Sequence, residues 1–87
     1  MRIWGKIMKD NHLMRDHVAE DHSDASRTAK VFSALNEICV TFDLEVPIWL
    51  DSNVADFRRH SRTRFTRDSF IEKIDFDYLD FYVIEED

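Results

Sequence analysis

The chain contains very little of the two residues that shape tight loops: its 87 residues include one glycine and one proline. A loop that wraps around a phosphate group needs several glycines, because ordinary side chains keep the backbone away from the phosphate. Glycine-rich nucleotide-binding loops are therefore excluded. No serine or cysteine stands in the sharp glycine-bounded turn that presents many catalytic nucleophiles, so we expect that the protein is not an enzyme.

A single cysteine, Cys39, excludes an internal disulfide and a paired-cysteine metal knuckle. Cys39 stands in an apolar stretch of helical periodicity, so we expect a buried, unreactive thiol, which fits a reducing compartment. No apolar run has the length of a signal peptide core or of the roughly 20 residues that span a membrane. We therefore expect a cytoplasmic protein with no membrane partner.

Core-forming residues, in contrast, are plentiful. Hydrophobic residues make up 44% of the chain and aromatic residues 13%, which is ample for one hydrophobic core. A chain of this length cannot usefully divide its core in two. We expect a single globular domain over residues 1–87, without a cofactor.

The first 20 residues alternate like two strands joined by a two-residue turn at Asp10 and Asn11, which tolerate the left-handed backbone that such a turn requires. The predicted register divides the side chains between two faces. One face would carry Ile3, Ile7, Met14 and Val18. The other would carry Trp4, Lys6, Met8, Leu13, Arg15 and His17.

Apolar spacings of three and four predict a long helix from about Ser26 to Phe42. Its buried stripe would consist of Val31, Phe32, Leu35, Ile38, Cys39 and Phe42. Pro47 interrupts helical geometry, and Asp51 or Ser52 would cap a second, short helix that runs toward Ser61. A further helical turn or two is expected in "TRDSFIEKI", capped by Thr66 or Asp68.

The final segment "DYLDFYVIEE" alternates and predicts a strand. The elements together predict an α+β fold. The N-terminal β-hairpin and the C-terminal strand would form a three-stranded antiparallel sheet, packed by one long helix and one or two short helices.

Four stretches carry a resemblance to known sequences: "MRIWGKI", "PIWLD", "TRFTRDSFIEKIDFDYL" and the ending "VIEED". On these stretches the chain, from end to end, resembles short hypothetical proteins of Gram-positive, clostridia-like genomes. The resemblance implies a bacterial cytoplasmic protein. It implies no activity, no fold and no site residues.

Five arginines stand in one tract of a chain whose net charge is −6. They are Arg58, Arg59, Arg62, Arg64 and Arg67. We favour pairing with the protein's own carboxylates, because the guanidinium group matches a carboxylate bidentately. The alternative is a phosphate-binding stripe whose neighbours Phe57 and Phe65 stack on bases of nucleic acid. A pI of about 5.1 disfavours that alternative, because an acidic protein repels a polyanion.

Three histidines, His12, His17 and His22, recur every five residues. Imidazole is a suitable ligand for a divalent metal, but this spacing puts neighbouring histidines on opposite faces of a strand. We therefore expect no metal site.

Carboxylates alternate with aromatic rings near the C-terminus, at Asp75, Asp77 and Asp80. On the solvent face of an edge strand such carboxylates would prevent edge-to-edge aggregation. Alternatively, they would imitate nucleic acid and inhibit an enzyme that acts on it.

We expect a small interaction or regulatory module that binds another macromolecule, a protein in preference to nucleic acid. The candidate contact patch consists of Trp4, Met8 and Leu13, since contiguous apolar side chains left toward water usually mark an interface. The patch stays open if the helices cover only the opposite face of the sheet. Alternatively, residues 43–50 fold back and cover it. The oligomeric state is left open by the sequence.

Overall fold

The structure is a computed structural model that describes residues 1–87, and it contains two helices and four strands. The elements in chain order are β1 (Arg2–Lys9), β2 (His12–Glu20), α1 (Arg27–Thr41), α2 (Asp51–His60), β3 (Arg62–Thr66), a 3-10 turn (Arg67–Ser69) and β4 (Tyr78–Glu85). The strands form one antiparallel sheet in the order β2-β1-β4-β3. The α+β fold is confirmed, but the sheet has four strands rather than the predicted three.

The additional strand, β3, lies within the arginine tract. Helix α2 ends at His60, and the left-handed backbone of the following Ser61 (φ 52°) turns the chain back toward the sheet. The next residues alternate, so that Thr63 and Phe65 are buried while the intervening arginine is exposed. No strand was predicted for this part of the sequence. The helix predicted in "TRDSFIEKI" is reduced to the single 3-10 turn.

The hairpin turn forms as predicted. Asp10 and Asn11 both have left-handed backbone, with φ values of 52° and 64°. The pairing of Lys9 with His12 follows directly from this two-residue turn.

The predicted register beyond the turn is wrong. Met14 is left without a partner, as in a β-bulge, so Ile7 pairs with Arg15 and Ile3 pairs with Ala19. Every later residue of β2 changes face, because side chains alternate along a strand. Arg15 now reaches the end of α1, where it donates to the carbonyl oxygen of Thr41 at 3.1 Å.

Both helices pack on the same face of the sheet. Gly5 of β1 permits a close approach of α1 to this face. A Cβ atom at this position would lie 2.5 Å from Cγ2 of Ile38 in α1. His17, which pairs with Gly5, lies on this covered face and contacts Glu37 of α1 at 2.7 Å. The hairpin and the long helix are thus fixed together at the centre of the fold.

Helix α1 begins after Ser26, whose hydroxyl oxygen accepts from the backbone N–H of Ala29 at 3.1 Å. Its buried stripe contains Val31, Leu35, Ile38 and Cys39, and the following Phe42 is buried as well. Phe32 is a correction to the predicted stripe, because 53% of it is exposed. It faces sideways toward Trp49, with the ring centroids 6.1 Å apart.

Residues 43–50 lie on the helix side of the sheet and not over the predicted contact patch. Trp49 makes edge contacts with the buried rings of Phe57, Phe65 and Phe81, with ring centroids 5.4, 5.0 and 6.1 Å away. The opposite face of the sheet is therefore left uncovered. No helix of the protein combines the length and apolar character needed to cross a membrane.

The start of α2 is fixed by Asn53 rather than by the predicted Asp51 or Ser52. The buried Asn53 side chain accepts from the backbone N–H of Leu50 at 3.0 Å and from the hydroxyl of Ser69 at 3.2 Å. It donates to the hydroxyl of Thr63 at 2.9 Å. One amide thus ties α2, β3 and the 3-10 turn together.

Candidate functional site

The uncovered side of the sheet presents a regular grid of side chains, because every second residue of each strand points away from the helices. Cross-strand neighbours form three rows of four, which we call the open face. The first row contains Val18, Trp4, Tyr82 and Arg62. The middle row contains Asp16, Lys6, Asp80 and Arg64. The third row contains Leu13, Met8, Tyr78 and Thr66.

The predicted contact patch lies on this open face. Trp4 and Met8 are half-buried, Leu13 is 50% exposed, and Met8 pairs directly with Leu13. The structure adds three neighbours that sequence reasoning did not include: Val18, Tyr78 and Tyr82. Because side chains alternate along a strand, Tyr78 and Tyr82 lie on the same face of β4. Only the sheet order, in which β4 lies beside β1, shows that this face extends the contact patch of Trp4, Met8 and Leu13.

Charges of opposite sign alternate across the middle row. Asp80 lies at the centre and is only 2% exposed. The guanidinium of Arg62 donates to both of its oxygens, with Nε 3.0 Å from Oδ1, and Nζ of Lys6 lies 3.6 Å from Oδ2. The hydrogen bond to Asp80 raises the pKa of Arg62. Two cations thus neutralise the one buried carboxylate of the face.

Cations also cover the aromatic rings of the open face. Nζ of Lys6 lies 4.2 Å from the ring centroid of Trp4, and the Arg64 guanidinium lies 4.5 Å from that of Tyr78. Arg62 stands in the same way over Tyr82, at 4.8 Å. These contacts hold the rings in defined orientations on the open face.

Among the five arginines of the tract, only Arg62 makes an ion pair with a carboxylate. Neutralisation of the protein's own carboxylates therefore explains one arginine of the five. Arg58 and Arg59 lie in the last turn of α2, where a positive charge interacts favourably with the helix dipole.

The five arginines do not form one stripe. Arg62 and Arg64 lie on the open face, Arg58 lines a groove of about 320 Å³ between the two helices, and Arg67 lies beside the 3-10 turn. Phe57 and Phe65 are buried in the core, so neither ring is available to stack on a base. Base stacking by these two rings is therefore excluded.

The three predicted histidines are separated as well. His17 contacts Glu37 on the helix side, His22 lies 3.5 Å from Glu20, and His12 is exposed beside the hairpin turn. No group of three or more histidine, cysteine, aspartate or glutamate side chains is placed to hold a metal ion.

The alternating carboxylates of the C-terminal segment do not guard an edge, because β4 lies between β1 and β3. Asp80 is buried and ion-paired, and Asp77 accepts from the backbone N–H of Asp10 at 2.8 Å. Only Asp75 makes neither kind of contact. The predicted row of free carboxylates is thus not present on this strand.

Comparison of the chain with protein-family models, with curated proteins and with solved structures gives no match.

Proposed function

We propose that the protein is a small interaction module that binds another protein through the open face, and that it acts by binding rather than by catalysis. The observation that supports this is the uncovered sheet face, on which six apolar or aromatic side chains lie in two rows. The charged middle row separates these two apolar rows, and aromatic and apolar side chains that surround charged groups on an uncovered face are typical of surfaces that contact a partner.

The composition of the open face favours a protein partner over nucleic acid. The open face contains three cations, Lys6, Arg62 and Arg64, and two anions, Asp16 and Asp80, so its formal charge is only +1. The chain as a whole carries a charge of −6, which repels a polyanion. Tryptophan, tyrosine, methionine and arginine are the residues enriched where protein surfaces meet.

The proposal includes a reducing compartment, the cytoplasm, as the place where the module acts. Cys39 is buried and has no second cysteine with which to form a disulfide. A small domain that depends on its hydrophobic core rather than on disulfides is typical of such a compartment.

Photo-crosslinking tests the proposed surface. A photoreactive amino acid in place of Leu13 on the open face should form protein adducts in the cells that produce the chain. The same amino acid in place of Val40, which is 70% exposed on α1 at the other side of the sheet, should not. Adducts that form at Val40 and not at Leu13 would contradict the proposal.

A second candidate is the binding of phosphate groups or nucleic acid by the arginine tract. It is supported by the four arginines that make no ion pair: Arg58, Arg59, Arg64 and Arg67. Anisotropy titrations at two salt concentrations test it, because each phosphate contact contributes about 0.7–0.9 to the slope of log affinity against log salt. We expect no binding, whereas micromolar affinity that falls with salt would favour this second candidate.

A further inference from the structure

We infer that the protein partner of the open face is a second copy of this chain, packed sheet against sheet about a two-fold axis. The inference rests on the proposed function and deepens it by naming the partner. It follows from the order of charges in the middle row: Asp16, Lys6, Asp80 and Arg64 lie side by side across β2, β1, β4 and β3. The signs alternate, beginning with a negative charge at one edge and ending with a positive charge at the other.

A two-fold axis parallel to the strands, through the middle of the sheet, reverses this order in the second copy. Asp16 then lies opposite Arg64 of the second copy, and Lys6 lies opposite its Asp80. Asp80 is buried beneath Arg62 and Lys6 of its own chain, so the charge contact that reaches across the axis is that of Asp16 with Arg64, and by symmetry it occurs twice. The row is complementary to itself in this orientation.

The same rotation matches the central residues of the two flanking rows, and at the edges it puts Val18 opposite Arg62 and Leu13 opposite Thr66. Trp4 comes to lie opposite Tyr82 of the second copy, an aromatic pair, and Met8 comes to lie opposite Tyr78, a sulfur–aromatic pair. These four residues belong to the two central strands, β1 and β4, where the faces of packed sheets remain closest despite their twist. The apolar contacts therefore lie at the centre of the interface.

The other two-fold axis in the plane of the face runs across the strands and gives the opposite result. It leaves the row order unchanged, so Asp16 would lie opposite Asp16 and Arg64 opposite Arg64. Like charges placed directly opposite each other are unfavourable. The charge row thus selects one of the two symmetric packings.

The interface is small. Four strands span roughly 15–20 Å and five residues about 17 Å, so the flat footprint is about 300 Å² per copy and the total buried area lies below the roughly 1,200 Å² of standard specific interfaces, in the range of weak ones. Each copy also carries a charge of −6, and the two copies repel each other at long range. We therefore expect a concentration-dependent dimer with a Kd on the order of micromolar.

Charge exchange between the two edges of the sheet tests the packing. Asp16→Arg puts a guanidinium opposite Arg64 of the second copy, and Arg64→Asp puts a carboxylate opposite its Asp16. Sedimentation equilibrium should show that each single substitution raises the dimer Kd by about tenfold or more. The double variant should return to within about threefold of the original value.

The rescue cannot arise within one chain, because the two residues lie on the two opposite edge strands. Both side chains are exposed, and circular dichroism verifies that each variant is folded. A second readout comes from the photoreactive amino acid at position 13. It should crosslink two copies of the chain, and the attachment point on the second copy should lie in β3 or β4.

A chain that stays monomeric up to millimolar concentration overturns the inference. If Leu13 then crosslinks to a different protein, the proposed function stands and only the identity of the partner was wrong. If Leu13 crosslinks to nothing, both are overturned. A dimer whose Kd is unchanged by both single substitutions overturns the assignment to the open face.

Discussion

Arg62 on β3 reaches diagonally across the sheet to Asp80 on β4, and its Nε lies 3.0 Å from Oδ1 of that carboxylate. Asp80 is buried on the side of the sheet that faces away from the helices, where arginine and lysine side chains cover it. A buried carboxylate requires such partners, because an unpaired charge loses the stabilisation that water would give it. The pair is therefore a structural requirement of the open face.

Arg62→Gln should lower the free energy of unfolding by about 1–3 kcal/mol, since it removes a bidentate charged hydrogen bond and leaves Lys6 as the only ion-pair partner of Asp80. Arg64→Gln is the matched control on the same strand, because Arg64 has no ion pair to lose. Its effect should stay within about 0.5 kcal/mol. Urea denaturation of dilute protein measures both variants, and equal losses would contradict the assignment of the ion pair to Arg62 alone.

Helix α1 offers a second matched pair. Leu35 is 0% exposed at the centre of the core, so Leu35→Ala should lower the free energy of unfolding by about 2–5 kcal/mol. Phe32→Ala removes a larger side chain but leaves no buried cavity, and its loss should be below about 1.5 kcal/mol. Chemical denaturation measures the free energy of unfolding of both variants. A greater loss for Phe32→Ala than for Leu35→Ala would show that the buried side of the helix has been assigned wrongly.

Local signals in the sequence were sufficient where one short segment determines its own structure. Asp10 and Asn11 specify the hairpin turn, and the apolar spacing specifies the extent of α1 to within a residue at either end. The interpretation of Cys39 as a buried thiol depended on the same periodicity and is confirmed.

Features that depend on distant parts of the chain were not predicted. The bulge at Met14 brings Arg15 to the end of α1, a contact between distant parts of the chain that no local pattern encodes. Strand β3 exists because β4 provides the neighbour with which Thr63 and Phe65 are buried. The candidate site was predicted in part, since Trp4, Met8 and Leu13 were identified, but the charge row requires the sheet order.

Asn53 distinguishes the structure most clearly from the sequence-based expectation, which put the helix cap at Asp51 or Ser52. Asn53→Ala should lower the free energy of unfolding by about 2–4 kcal/mol, because it leaves several buried polar groups without partners. Ser52→Ala should change it by less than about 0.5 kcal/mol, since that exposed hydroxyl makes no hydrogen bond. If thermal unfolding shows a larger loss for Ser52→Ala, the cap has been assigned to the wrong residue.

The last prediction concerns Cys39, which packs at the centre of the core in α1. Burial raises the pKa of the Cys39 thiol to about 11 from its ordinary value of 9.0. The folded protein therefore keeps the proton more tightly than the unfolded chain, and the unfolded chain gains stability when its thiol ionises. The stabilisation associated with this thiol is complete below about pH 9 and is lost as the pH rises toward 11.

The difference in the free energy of unfolding between the original protein and Cys39→Ala isolates this thiol from the other groups that titrate at high pH. We expect the difference to be constant from pH 7 to 8.5 and to decrease steadily between pH 9 and 11. Ellman's reagent should react with Cys39 at pH 8 far more slowly in the folded protein than in urea, because only the exposed thiolate is nucleophilic. Equal reaction rates in the two conditions, or a difference that grows above pH 9, would show that Cys39 is not held as a buried neutral thiol.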